Sequence, residues 1–459
     1  MSDLHHVVII GGGFGGLQAA INLKRAPVKV TLLDRRNFHL FQPLLYQVAT
    51  GSLSPANIAS PLREVLKRQK NVQVLLAEVC DIDAAHRQVI LRDGAIGFDT
   101  LIVAAGARDN YFGHEDWEEF APGLKTIEDA TEIRRRILLA FEAAERDLDP
   151  ERVKALLTFV IVGGGPTGVE MAGALAEIAH DTLKNNFRRI NPAEARIILL
   201  EGTDRVLPPF PPPLSSKAKA SLERLGVVVR TGALVTDLQV NCVTVRHGEQ
   251  SETIPTHTII WAAGVQASPL GKALASATGA GLDRGGRVIV QPDMSLPGHP
   301  NIFVIGDLAN FSHQTGKPLP GVAPPAMQEG RYVAQLIAAR LTGKTMPSFV
   351  YKDHGSMATI GRAHAVADLG WIRFSGHLAW LTWLFVHLIN IVEFQNRIMV
   401  LLQWAWNYFT RHRSARLITG EGAAPWTATS LGQRNRSSDA SHQRPQDESP
   451  TTVKGATSD

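Results

Sequence analysis

The chain has 459 residues, 44% hydrophobic and 20% charged, with a formal net charge of +4. That length allows about three domains with substantial cores, and so small a charge argues against a nucleic-acid partner. The two cysteines, Cys80 and Cys242, form neither a Cys-x-x-Cys pair nor a metal quartet, so no disulfide and no metal are expected, and a reducing compartment is the default.

Residues 7–10 read as a strand that starts almost at once, with no charged leader or cleavage site, so no signal peptide is expected. Glycines follow from Gly11 to Gly16, then a helical stretch over 17–24, then a strand over 28–33 that ends at Asp34. The arrangement returns about 150 residues later. There a strand over 159–162 meets Gly163 to Gly168, a small-residue helix spans 169–179, and a strand over 196–200 ends at Glu201. Strands over 101–106 and 259–264 each close on Ala-Ala-Gly, and one over 302–305 ends in Gly306-Asp307. Five prolines within 208–213 predict a stiff loop. Alternating strands and helices predict an α/β fold with two Rossmann-like dinucleotide-binding domains.

Composition changes after Gly376. Between 378 and 392 the polar residues are Thr382, His387 and Asn390 alone, and tryptophans recur at 380, 383, 404 and 406. At about 1.5 Å per residue this stretch spans roughly 22 Å, short of a ~30 Å hydrocarbon core. It predicts an amphipathic helical segment lying on a membrane surface, with Arg411, Arg413 and Arg416 meeting anionic head groups. A core or homodimer helix is the alternative. Beyond 420 the chain is polar and poor in large apolar residues, which predicts disorder.

Gly11, Gly13 and Gly16 follow a strand and open a helix. The first glycine turns the chain, the second admits a pyrophosphate to the backbone, and the third lets helix and strand pack closely. The diphosphate meets unpaired N–H groups at the positive end of the helix dipole, and Asp34 is placed for a ribose. Gly163, Gly165, Gly168 and Glu201 repeat every part. An acid at 201 repels a 2′-phosphate and favours NADH over NADPH; Arg205 nearby softens that preference.

Together these residues resemble the two-dinucleotide-binding flavoproteins, in which the first fingerprint holds FAD and the second NADH. Without a cysteine pair, the disulfide-reductase and sulfide-oxidising branches do not fit. The segment from Phe41 to Gly51, the run from Val162 to Glu170, the stretch from Gly355 to Gly361 and the aromatic C-terminal segment resemble type II NADH:quinone oxidoreductases. The resemblance implies FAD contacts from Phe14, Gly106, Asp307 and Ala326, and a thin backbone at Gly264 beside the nicotinamide. It implies hydride transfer from NADH to the flavin, Glu170 as proton relay or nicotinamide holder, and Gln328 at the acceptor site. One departure is visible: Pro324 replaces the first glutamine of the family's Ala-Gln-x-Ala-x-Gln pattern.

The expected division is an FAD-binding domain over 1–112 and 291–375, an NADH-binding domain over 113–290, a membrane-surface segment over 376–418 and a tail over 419–459. The expected reaction is NADH oxidation by a membrane quinone without proton pumping, at the cytoplasmic face of the inner (plasma) membrane. A soluble flavin reductase serving a carrier protein and a non-catalytic FAD/NADH sensor are the alternatives.

Overall fold

The structure is a computed structural model and describes residues 4–420; the expected disordered tail falls, from 421 on, outside the described residues. The strand His5–Ile10 is buried from Val7 onward and feeds the helix Phe14–Asn22 and then the strand Val28–Asp34. These strands pair in parallel, His5 opposite Val28 and Ile10 opposite Leu33. The sheet has six strands, ordered Ser295–Leu296, His299–Val304, Thr100–Val103, His5–Ile10, Val28–Asp34 and Val72–Leu76. All are parallel except the first, an antiparallel edge. The near-continuous apolar runs suit a sheet covered on both faces. His299–Val304 arrives from far along the chain to complete the first unit, beside the helix Ala323–Leu341.

A second parallel sheet orders Val227–Thr231, Arg196–Glu201, Thr158–Val162 and Thr258–Trp261 around the helix Pro166–Glu177. The repeat extends further than the fingerprints. Each unit inserts a three-stranded antiparallel meander before its returning strand: Val79–Asp83, Gln88–Leu91 and Gly94–Gly97 in one, and Ala233–Gln239, Cys242–His247 and Gln250–Pro255 in the other. After each returning strand the chain enters a shared antiparallel ribbon, Ala107–Asp109 paired with Val265–Ala267. The sequence reading missed both meanders, although Asp93-Gly94 was a usable hairpin signal.

The proline-rich stretch is only partly the loop expected. Pro212 and Pro213 open the helix Pro212–Arg224, because first-turn residues have no intrahelical use for an N–H and a fixed φ suits them.

Beyond 354 the strands Ser356–Thr359, Ala365–Asp368 and Arg373–Gly376 form an antiparallel sheet that runs into the helices His377–Asn390 and Phe394–Thr410. Ala365, Ala367 and Ala379 share a small core with Phe374 and Trp380. The compositional break at 376 thus falls between a strand and the helix packed on it. Among the described residues no helix is long and apolar enough to cross a membrane.

The basic cluster corrects an expectation. Arg413 is buried, donating to Glu177 Oε2 at 2.6 Å and to the carbonyls of Thr50 and Ala174. Arg411 pairs with Asp181 at 3.0 Å, and Arg416 donates to the carbonyls of Arg413 and Thr182. Arg413 and the half-buried Arg416 fasten the end of the last helix to the body of the chain instead of facing head groups, while Arg411 stays more than half exposed. A guanidinium can be buried only where such partners replace its water.

Candidate functional site

The two fingerprints have the same physical construction. Gly11 has φ +99° and Gly163 φ +108°; a Cβ there would lie 2.3 Å from the Ala104 carbonyl oxygen and 2.4 Å from that of Ala262. Each turn is therefore pressed against the end of its returning strand. A Cβ at Gly16 would lie 1.9 Å from the Gly11 oxygen, and one at Gly168 1.8 Å from the Gly163 oxygen, so only glycine lets helix and turn approach. At Gly13 and Gly165 a Cβ meets nothing within 4 Å. Both residues cap their helices with no side-chain hydrogen bond. Open space beside uncapped N–H groups is the cradle a pyrophosphate needs.

The acids sit where the motif requires. Asp34 Oδ2 accepts from Gly12 N at 2.6 Å and Oδ1 from Arg36 N at 2.7 Å. Glu201 Oε2 accepts from Gly164 N at 2.6 Å and Oε1 from Thr203 N at 2.7 Å. A carboxylate has about four lone-pair sites, so each keeps capacity for a ribose. His39, buried, bonds the Gly12 carbonyl through Nδ1 at 3.0 Å and packs edge-on against Phe14. The sequence reading gave it no role.

Asp307 and Ala326 line one cavity of about 230 Å³ with Ala107, Pro325 and Glu329. A Cβ at Gly306 would touch Ala326, and one at Gly330 would lie 2.2 Å from the Gly15 oxygen. The helix Ala323–Leu341 therefore packs directly on the fingerprint helix and presents its first turn to the same space. Cavity, turn and uncapped helix together fit an FAD. Gly106, at φ +68°, begins the shared ribbon, and Gly264 lies against the Phe112 ring. Pro324 sits in the first helical turn, where proline is tolerated. Both ends of the Gln328 amide bond the Lys352 backbone, at 2.8 and 3.0 Å.

Glu170 lies on the second fingerprint helix and is buried. Burial pushes its carboxyl up to about 8, although Thr359 N donates to it at 3.4 Å and the Trp383 indole lies close. The wholly buried Trp383 N–H does not reach hydrogen-bond geometry with it. A cavity of about 110 Å³ adjoins, lined by Tyr46, Glu170, Thr359, Trp383, Trp404 and Arg413 among others. Trp404 Nε1 donates to Gln47 Oε1 at 2.7 Å, and Gln47 Nε2 donates to the Tyr46 hydroxyl at 2.9 Å. Trp383 stacks on His387 at 4.1 Å. A Cβ at Gly173 would lie 2.6 Å from Gly361 N, so the C-terminal sheet sits directly on the Glu170 helix. The segment expected to be a separable anchor is therefore also the wall of this cavity. Glu170, the tryptophans and Arg413 were each noted in the sequence, but not that they meet with Tyr46 and Thr359 around one cavity, because they come from distant stretches of the chain.

Two dinucleotide cradles, joined by a ribbon and closed by a third unit over the second, define the class. The chain belongs to the pyridine nucleotide-disulphide oxidoreductase family, whose profile matches residues 5–330; that of the NDH2 C-terminal domain matches 354–412. It is 49% identical to the type II NADH:quinone oxidoreductase Ndh of Mycobacterium tuberculosis, over 91% of each chain. It is 48% identical to NdhA of the same organism, over 91% of this chain and 90% of that one. In structure it resembles NDH2 from Plasmodium falciparum in complex with NADH, with a TM-score of 0.82 at 22% identity, covering 91% of this chain and all of the other.

Proposed function

We propose that this chain passes electrons from NADH through bound FAD to a membrane quinone, without moving protons across the membrane. The observation that carries this is the C-terminal aromatic cavity built directly onto Glu170, on the helix of the second cradle. FAD at Gly11 to Gly16, Asp34 and Asp307 would supply the redox chemistry, accepting a hydride and releasing two electrons. The chain's own residues bind and orient: the Gly163 to Gly168 turn and Glu201 hold the dinucleotide, with Glu201 opposing a 2′-phosphate. Glu170, uncharged below about pH 8, holds a proton beside the cavity, where an acceptor gaining two electrons needs two. Gln328 and Ala326 lie on the helix shared with the FAD cavity.

The membrane reading rests on exposed apolar faces. Leu378, Leu381, Phe385 and Ile389 are exposed at helical spacing on one helix, and Phe394, Ile398, Leu402, Trp406 and Phe409 on the next. The two helices, about 21 and 26 Å long at 1.5 Å per residue, are shorter than the ~30 Å core, so they lie in one leaflet. The cytoplasmic face of the inner (plasma) membrane is where NADH is available.

The test is quinone-dependent NADH oxidation by the purified protein, with its absorption spectrum recorded. A flavin spectrum and sustained turnover with quinone are expected. A flavoprotein that reduces only a carrier protein would favour the soluble-reductase alternative; one that binds NADH without turnover would favour the sensor.

A further inference from the structure

The FAD cavity contains an acid that the family reading does not use. Glu329 follows Gln328 on the helix Ala323–Leu341, is 2% exposed and lines the cavity beside Asp307. Its Oε2 accepts the Gly306 N–H at 2.5 Å. The turn that carries Asp307 is thus tied to the helix whose first turn faces the same space. An amide oxygen at 329 would accept that N–H equally well. What the carboxyl adds is a titratable proton.

We propose that Glu329 is a positioning residue of the flavin site, fixing the Gly306–Asp307 turn against the helix Ala323–Leu341 and setting by its charge how readily the flavin gains electrons. Among the described residues no cation pairs directly with that charge: Arg287, which lines the same cavity, is held by Asp283 at 2.7 Å. Asp307 is the carboxylate facing it from the turn. Tyr351, on the segment after the helix, is pushed up to about 12 and stays neutral. The fingerprint helix Phe14–Asn22 carries no charged residue, and Lys24 and Arg25 beyond it are exposed. Arg331, two positions along its own helix, is not buried. Burial first, with Asp307 adding to it, pushes Glu329 up to about 8 against the pull of the Gly306 N–H. It is therefore uncharged at neutral pH. Above that it places a negative charge beside a flavin that itself becomes more negative on reduction. Reduction then draws one extra proton onto Glu329 per two electrons, closing the charge balance.

The inference rests on FAD filling the first cradle, and a wild-type protein that purifies without a flavin spectrum would sink that reading instead. The experiment measures the flavin midpoint potential of the holoenzyme from pH 6 to 10, at an electrode with mediators. Wild type and E329Q should agree at pH 7. Above about pH 8 the wild type should become harder to reduce, its reduction equilibrium falling an extra tenfold per pH unit, or about 30 mV per pH unit for a two-electron couple. E329Q should lack that bend. Glu170 is also raised to about 8, so E170Q is measured alongside and should keep the bend. If E329Q cannot hold flavin, E170Q still decides: a bend that disappears in E170Q, or is absent from wild type, overturns the proposal. Parallel profiles for wild type and E329Q overturn it too, leaving Glu329 a tie between turn and helix only.

Discussion

The two fingerprint units repeat one turn-and-helix construction, and one of the aligned positions where they differ sets their chemistry apart. Counting seven residues from the first glycine reaches Gln18 in the first unit and Glu170 in the second. The helices also meet different partners. Gly15 and Gly330 let the first pack on the helix Ala323–Leu341, while Gly173 and Gly361 let the second pack on the C-terminal sheet. Gln18 is half-buried; Glu170 is sealed beneath tryptophans and tilted toward its protonated form. The comparison teaches that a phosphate cradle is a reusable backbone device, and that chemistry is assigned by what is stacked on its helix.

The largest test removes the close approach itself. Gly16→Ala and Gly168→Ala each force a methyl into a carbonyl oxygen, an overpacking that costs about 3 kcal/mol or more. Thermal denaturation should show both destabilised, with flavin lost from the Gly16 variant. Equal flavin loss from Gly168→Ala would mean the two cradles are not independent.

Gly13→Val and Gly165→Val place a side chain in open space, so both proteins should fold and the damage should separate by ligand. The first should purify without yellow colour. The second should keep full flavin while kcat/KM for NADH drops about a hundredfold, near 2.7 kcal/mol of transition-state stabilisation. A yellow Gly13→Val protein would break the assignment of FAD to the first cradle.

Glu170→Gln sharpens the comparison by making the second helix resemble the first. Quinone turnover should fall about tenfold or more, while anaerobic bleaching of the flavin by NADH survives. Stability should respond as well. The folded carboxyl titrates near 8 and the unfolded one near its ordinary 4.5. Between those values the folded protein holds a proton that the unfolded chain has released. Its stabilising share is full below about pH 4.5 and is lost as pH rises to about 8. Melting temperatures of wild type should therefore decline across that window relative to Glu170→Gln, and a constant difference would show that the group titrates normally.

The smallest expected effect is at Glu201. Glu201→Gln removes the charge opposing a 2′-phosphate, so the NADPH to NADH ratio of kcat/KM should rise about tenfold, or 1.4 kcal/mol. An unchanged ratio would assign discrimination elsewhere, with Arg205 the nearest candidate.

The amino-acid sequence by itself determined the duplicated strand–glycine–helix units, the acids ending their second strands, and the length of the aromatic segment. These are local: turn sterics, helix-end donors and apolar period are each written within one continuous stretch of chain. Tertiary structure decided the rest. It brought His299–Val304 back to finish the first sheet and turned Arg413 inward onto Glu177. It set Tyr46, Thr359, Trp383 and Trp404 around Glu170, and tied Glu329 to Gly306. Whether a glutamate keeps its charge depends on which distant surfaces exclude water from it, and those surfaces are brought together only when the chain folds.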